Sequence, residues 1–112
     1  DVEMEIVVRS EEEWEAKLGW FSPMPHPPNV NWDEEMVIFI AYGERNSSGY
    51  YIEVNDICLD DAWVLHVDYD KWYPGPNCIV LWVITQPFMI VKTDTYAGQI
   101  VFDQHYREDP CK

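Results

Sequence analysis

Positive charge is scarce in this sequence: seven Lys and Arg residues stand against 21 Asp and Glu, a formal net charge of −14. Binding to DNA or RNA depends on neutralising phosphates with Lys and Arg, so the nucleic-acid classes are excluded. An anionic membrane surface is disfavoured for the same reason. Long hydrophobic runs are lacking as well. The longest candidate, Ile79 to Val91, is broken by Gln86-Pro87, and falls short of the ~20 residues that span a bilayer, so no membrane insertion is expected.

Chemical motifs are equally sparse. The three cysteines, Cys58, Cys78 and Cys111, form no C-x-x-C and no zinc spacing. They leave two arrangements open: one disulfide with one free thiol in an exported protein, or three reduced thiols. His26, His66 and His105 are scattered through a Pro-rich loop, a strand face and the C-terminal region, without a zinc pattern. His66 lies beside Asp68 on one strand face, where the two could pair. No serine sits in a G-x-S-x-G elbow and no EF-hand spacing occurs. Carboxylates crowd at Asp33-Glu34-Glu35, Asp60-Asp61 and Asp68 with Asp70, but 21 acidic residues generate such pairs without purpose. The expectation is therefore a protein without catalytic residues, cofactor or dedicated metal, with at most a weak Ca²⁺ site around Asp60, Asp61, Asp68 and Asp70.

What is present argues for one folded domain over 1–112, since 47% of its residues are hydrophobic. Residues 1–8 alternate weakly and read as an opening strand. A helix over about 10–18 follows. Ser10 and Glu13 have capping-box spacing, Trp14 and Leu18 fall on one face, and Gly19 is placed to stop it. A Pro-rich loop, 22–32, cannot be regular structure. From residue 36 to 103 the pattern is β. The predicted strands are Met36–Tyr42, Tyr50–Leu59, Ala62–Tyr69, Cys78–Thr85, Pro87–Lys92 and Gln99–Asp103, before a tail over 104–112. Cys78–Thr85 is apolar on both faces, as for a central strand covered on both sides. The fold class is mainly β (α+β by strict count): an antiparallel sheet, sandwich-like or partly closed barrel, of six to seven strands with one short helix.

The stretch Gly43–Val54 combines a turn with a strand in which Tyr50, Ile52 and Val54 alternate with Tyr51, Glu53 and Asn55. It reads as a hairpin closed by Gly49, with Arg45, Ser47, Ser48 and Tyr51 at its tip as a contact surface. Aromatics are plentiful, with six Trp and seven Tyr. Trp14, Trp63 and Trp82 fit core positions by periodicity. Trp72 and Tyr73, in the apparent loop Asp70–Pro76, form a second candidate contact element.

Five segments in order carry a family resemblance. They are Val8-Arg-Ser-Glu-Glu-Glu-Trp14, Met36-Val-Ile-Phe-Ile-Ala-Tyr-Gly43, Ser48-Gly-Tyr-Tyr-Ile-Glu-Val54, Pro74-Gly-Pro-Asn-Cys78 and Thr85-Gln-Pro-Phe-Met-Ile-Val-Lys92. Together they resemble the C-terminal domain of the protease complex subunit PrcB. Members of that family typically show a Thr-Gly-Gly-Tyr turn, and Ser47-Ser48-Gly49-Tyr50 occupies its place. The resemblance implies that Gly43, Gly49, Tyr50 and Pro87 serve the turns. It further implies an exported bacterial domain (secreted, periplasmic or at the cell surface) without catalysis of its own, assembling with a surface protease.

The leading expectation is a non-enzymatic binding or assembly domain with a protein partner, its acidic surface steering a basic one. Two alternatives remain. Asn46-Ser-Ser-Gly-Tyr50 faintly resembles one loop of chagasin-like protease inhibitors, without their other two. The loop aromatics would also suit a carbohydrate-binding module.

Overall fold

The computed structural model describes residues 3–19 and 29–111. Most of the Pro-rich loop, with Trp20 and His26, lies outside these. Among these residues six strands and one helix follow in the order β1 (Met4–Val8), α1 (Glu11–Leu18), β2 (Glu35–Ala41), β3 (Tyr51–Leu59), β4 (Leu65–Pro74), β5 (Phe88–Asp94) and β6 (Ile100–Asp109). They form two three-stranded sheets, ordered β1-β2-β5 and β3-β4-β6. The arrangement is sandwich-like, and neither sheet closes into a barrel. Its pairing is not wholly antiparallel: β4 and β6 run parallel from Leu65↔Ile100 to Pro74↔Asp109.

The helix starts where the capping residues place it. Ser10 Oγ accepts from the Glu13 N–H at 3.0 Å, and the Glu13 carboxylate reaches back to the Arg9 N–H at 2.6 Å, one residue before the expected Ser10 N–H. Gly19 caps the C-terminus with right-handed φ −59°, so the helix stops there without the left-handed turn that favours glycine. Ser10→Ala removes the acceptor and is expected to cost about 1 kcal/mol, read as a thermal midpoint lower by a few degrees.

Trp14 and Leu18 turn inward against Val8, Val37, Phe39 and Ala41, with Trp14 edge-on to Phe39 at 6.3 Å. On its opposite face β2 sends Ile38 and Ile40, followed by Tyr42 just past its end, against Ile52, Val67 and Tyr69 of the second sheet. The order is therefore helix, sheet, sheet, and β2 is the central strand covered on both sides. The sequence assigned that role to Cys78–Thr85. That segment forms no strand, and Ile79, Leu81, Trp82, Val83 and Ile84 are exposed.

Three further expectations are corrected. The strand predicted at Ala62 begins at Leu65, because Trp63 takes left-handed φ 62° at the tip of a turn and is exposed. Trp63 and Trp82 are thus not core residues. The same strand continues through Asp70–Pro74, so Trp72 and Tyr73 stand on a strand and not in a loop. Finally, β6 runs to Asp109, through most of the segment read as a tail.

Candidate functional site

The segment Gly43–Tyr50 is not a hairpin. It joins β2 of one sheet to β3 of the other, two strands that do not pair with each other. Gly43 and Gly49 adopt φ 94° and 99°, values that L side chains rarely take. At Gly49 space is also restrictive: an added Cβ would meet Pro74 Cβ at 3.0 Å and Val80 Cγ1 at 3.3 Å. The crossover is thus moulded against the segment 78–87.

That segment is held at several points. Leu81 N–H donates to Ser48 Oγ at 2.8 Å, and Ser48 N–H donates to the Leu81 carbonyl at 2.9 Å. Arg45 and Thr85 exchange two backbone bonds at 2.9 and 2.8 Å, and Thr85 Oγ1 donates to the Ser47 carbonyl at 2.9 Å. Tyr42 N–H donates to the Pro87 carbonyl at 2.9 Å. At the other end Cys78 is bonded to Cys111. That disulfide resolves the open pairing, leaves Cys58 as an exposed free thiol, and removes both thiols from the cluster they form with Asp109.

The backbone anchors leave the apolar side chains outside. Ile79 is 99% exposed, Trp82 81%, Leu81 71% and Ile84 67%. Isolated exposed apolar residues are ordinary, but here five lie within six positions, with only Val80 between them turned towards Gly49. Ser47 and Ser48 belong to the base of this finger. Ser47 is buried and its hydroxyl donates to the Ser48 carbonyl. Beside the finger, Glu44, Arg45, Asn46 and Ile84 line an open cleft of about 370 Å³.

Arg45 turns inward. Its guanidinium lies 4.8 Å from the Tyr42 ring centroid and 5.7 Å from that of Tyr50. Tyr50 packs edge-on to Tyr42 at 5.4 Å. Lys71 Nζ sits over the same Tyr42 ring at 4.5 Å and bonds Glu3 at 3.0 Å, with its side chain only 3% exposed. Next to this group a cavity of about 150 Å³ is lined by Glu3, Glu5, Tyr69, Lys71 and Gln104 among others. The Tyr69 hydroxyl donates to Glu5, and burial first, then that bond, raises its pKa, so the phenol stays protonated.

The outer face of the second sheet is built from cross-strand rows: Tyr51, Trp72 and Arg107; Glu53, Asp70 and His105; Asp56, Asp68 and Asp103. Tyr51 stacks on Trp72 at 5.8 Å, and Trp72 Nε1 donates to Glu53. On the inner side Tyr73 stacks on Tyr106 at 4.8 Å. Asp68, Asp70 and His105 bring ligand-type atoms within 4.8 Å of one another. These atoms already have protein partners: Arg107 Nε lies 2.9 Å from Asp70 and His105 Nε2 lies 3.3 Å from Asp68. Burial pushes the Asp70 carboxyl up, but Arg107 and Asn55 outweigh it and hold it below its usual value. This is an ion-pair network, and we assign no metal ligand in it. Asp60 of the expected Ca²⁺ group faces His66 instead.

The family model described as PrcB C-terminal matches residues 36–94, just over half of the chain. The chain belongs to the PrcB C-terminal family. No curated protein and no solved structure matches it.

The PrcB-type span runs from β2 through β5 and so contains the central strand, the Gly43–Tyr50 crossover and the whole apolar finger. The Val8–Trp14 segment, β6 and Cys111 lie outside it. Arg45, Ser47 and Ser48 therefore sit together at the finger's base, while Tyr51 and Trp72 form a separate row and Tyr73 lies on the opposite side of β4. Ile79–Ile84 was the element that sequence reasoning missed as a surface. One signal was available: a single eight-residue helix among the described residues leaves no layer there to cover a second doubly apolar strand.

Proposed function

We propose that this PrcB-family chain is a non-enzymatic binding and assembly domain that docks on a protein partner through the finger Ile79–Ile84. Its setting is the bacterial cell surface or periplasm, where the family's namesake is an accessory subunit of a protease complex. The single observation that carries the reading is five exposed apolar side chains on a backbone pinned by Ser48, Thr85 and the Cys78 disulfide. A pre-anchored loop loses little conformational entropy on binding, so its buried area converts efficiently into affinity.

Glu44 shares the cleft with Ile84, and Glu108 stands against Gly75 near the finger's disulfide-bonded end. With a net charge of −14, the partner surface that fits is an apolar groove rimmed by Lys and Arg. The inhibitor alternative needs Asn46–Tyr50 to project towards an enzyme, whereas Ser47 is buried and Ser48 is bonded to Leu81.

The test is a photo-cross-linker placed at Trp82 in the native host, with an identical one at the exposed Glu15 on the helix as control. One identified protein is expected from position 82 only. With that protein purified, Trp82→Ala is expected to weaken binding by about 2 kcal/mol or more, roughly thirtyfold, with an unchanged thermal midpoint. Equal cross-linking from both positions, or full affinity after the substitution, would refute the reading.

A further inference from the structure

His66 stands on the outer face of β4 between two carboxylates. Its Nε2 lies 2.8 Å from Asp60 Oδ2 and its Nδ1 lies 2.8 Å from Asp103 Oδ2. A neutral imidazole has one N–H and one lone pair, so it can donate to only one of them; both contacts are hydrogen bonds only in the imidazolium.

The first carboxylate organises a turn. Asp60 Oδ1 accepts from Ala62 N–H at 2.7 Å and Val64 N–H at 3.0 Å, while Asp60 N–H donates to the Val64 carbonyl at 2.9 Å. The tip of that turn is Trp63, exposed and at left-handed φ 62°. A bulky residue there is strained and persists only where its surroundings hold it. The second carboxylate belongs to β6, an edge strand of the same sheet.

We propose that His66 is a proton-operated latch. Protonated, it ties the Asp60–Val64 turn to β6 through Asp60 and Asp103; deprotonated, it can hold only one of the two carboxylates, so the tie between the Trp63 turn and β6 is lost. The groups around it are largely acidic. Cys58 lies opposite it on β3, with Asp56 further along that strand. Asp68 is its neighbour on β4, and Asp61 follows Asp60 in the turn. Asp103 faces it from β6, where His105 is engaged with Asp68 and Arg107 with Asp70. From the chain after β5, Tyr96 donates its hydroxyl to the Trp63 carbonyl and remains as the turn's other tether.

The bonds to Asp60 and then Asp103 raise the His66 pKa above its ordinary value, against a smaller opposing effect of burial. The His66 bond, followed by that from Val64, lowers Asp60. A raised folded-state value means that the latch is fully formed below about pH 6.5 and is lost as pH rises through the raised value.

The experiment is NMR on the intact chain: the His66 ring nitrogens are titrated from about pH 5 to about pH 9, and the amide protection factors of Ala62 and Val64 are followed alongside. Comparison with His66→Gln assigns the ring signals. A His66 pKa above about 6.5 is expected, with protection of both amides falling through it, up to tenfold per unit of displacement. Protection of Ile38 and Val67 in the core is expected to stay constant. In His66→Gln the protection of Ala62 and Val64 is expected to lose its pH dependence, and Asp103→Asn is expected to lower the His66 pKa. A pKa at or below the ordinary value, or protection factors flat across the titration, would overturn the latch.

Discussion

Cys78→Ser is expected to lower the unfolding free energy by about 3–4 kcal/mol, as is reduction of the native protein. The Cys78–Cys111 bond closes a loop with a sequence separation of 33 residues at a Cα–Cα distance of 5.0 Å. Removing a closure of that length restores chain entropy of this size to the unfolded state. For a domain near 100 residues, the thermal midpoint then falls by roughly 15–25 °C. Cys111→Ser gives the same loss, and reductant adds nothing to either variant. Cys58→Ser, at an exposed position, stays within about 0.5 kcal/mol of the native protein. Urea denaturation with and without reductant measures all four. The disulfide also sets one end of the finger, so the reduced protein is expected to bind its partner more weakly even where it remains folded.

Glu3→Gln carries the second large effect, although Glu3 is itself largely exposed. Its carboxylate lies 3.0 Å from Lys71 Nζ and 3.7 Å from Arg45, and these two cations share the Tyr42 ring. Without it, the buried Lys71 ammonium loses its carboxylate, keeps the Tyr42 ring face and lies near a like charge. The expected cost is about 2–3 kcal/mol, below the range for a fully buried pair because Glu3 resolvates. Lys71→Met removes the buried charge and leaves Glu3 in water, so its cost is expected to stay near 1 kcal/mol. The double variant is expected to recover most of the Glu3→Gln loss, a coupling that a double-mutant cycle reads directly. If Glu3→Gln costs no more than Glu15→Gln on the exposed helix face, Lys71 does not depend on its counter-charge.

The two doubly apolar runs show what local sequence can reveal and where it stops. Met36–Tyr42 and Cys78–Thr85 have nearly the same composition, yet one is the central strand and the other an exposed finger. Periodicity cannot separate them, because both are apolar on both faces. The difference lies in the covering layers, and the single helix lies on β2. The helix cap and stripe, the alternation of β3 and the turn at Gly49 were legible because each depends on neighbours within a few residues. The Gly43–Tyr50 crossover was mistaken for a hairpin because consecutive strands usually pair, whereas here β1 and β5 occupy both edges of β2. Parallel pairing of β4 with β6 left no local mark, and Pro74-Gly-Pro76 made Trp72 and Tyr73 look like loop residues. His66 was placed beside Asp68, its neighbour on the strand, but its partners come from a turn and from β6.

Ile79–Ile84 is proposed here as a pre-anchored docking finger. Hydrogen exchange of that segment, compared between the isolated chain and the native complex purified from its host, tests it most directly. In the isolated chain the Leu81 amide, bonded to Ser48, is expected to exchange slowly and those of Ile79, Trp82 and Ile84 rapidly. In the complex all four are expected to be protected. Unchanged exchange across the finger, with protection appearing on another surface, would contradict the account.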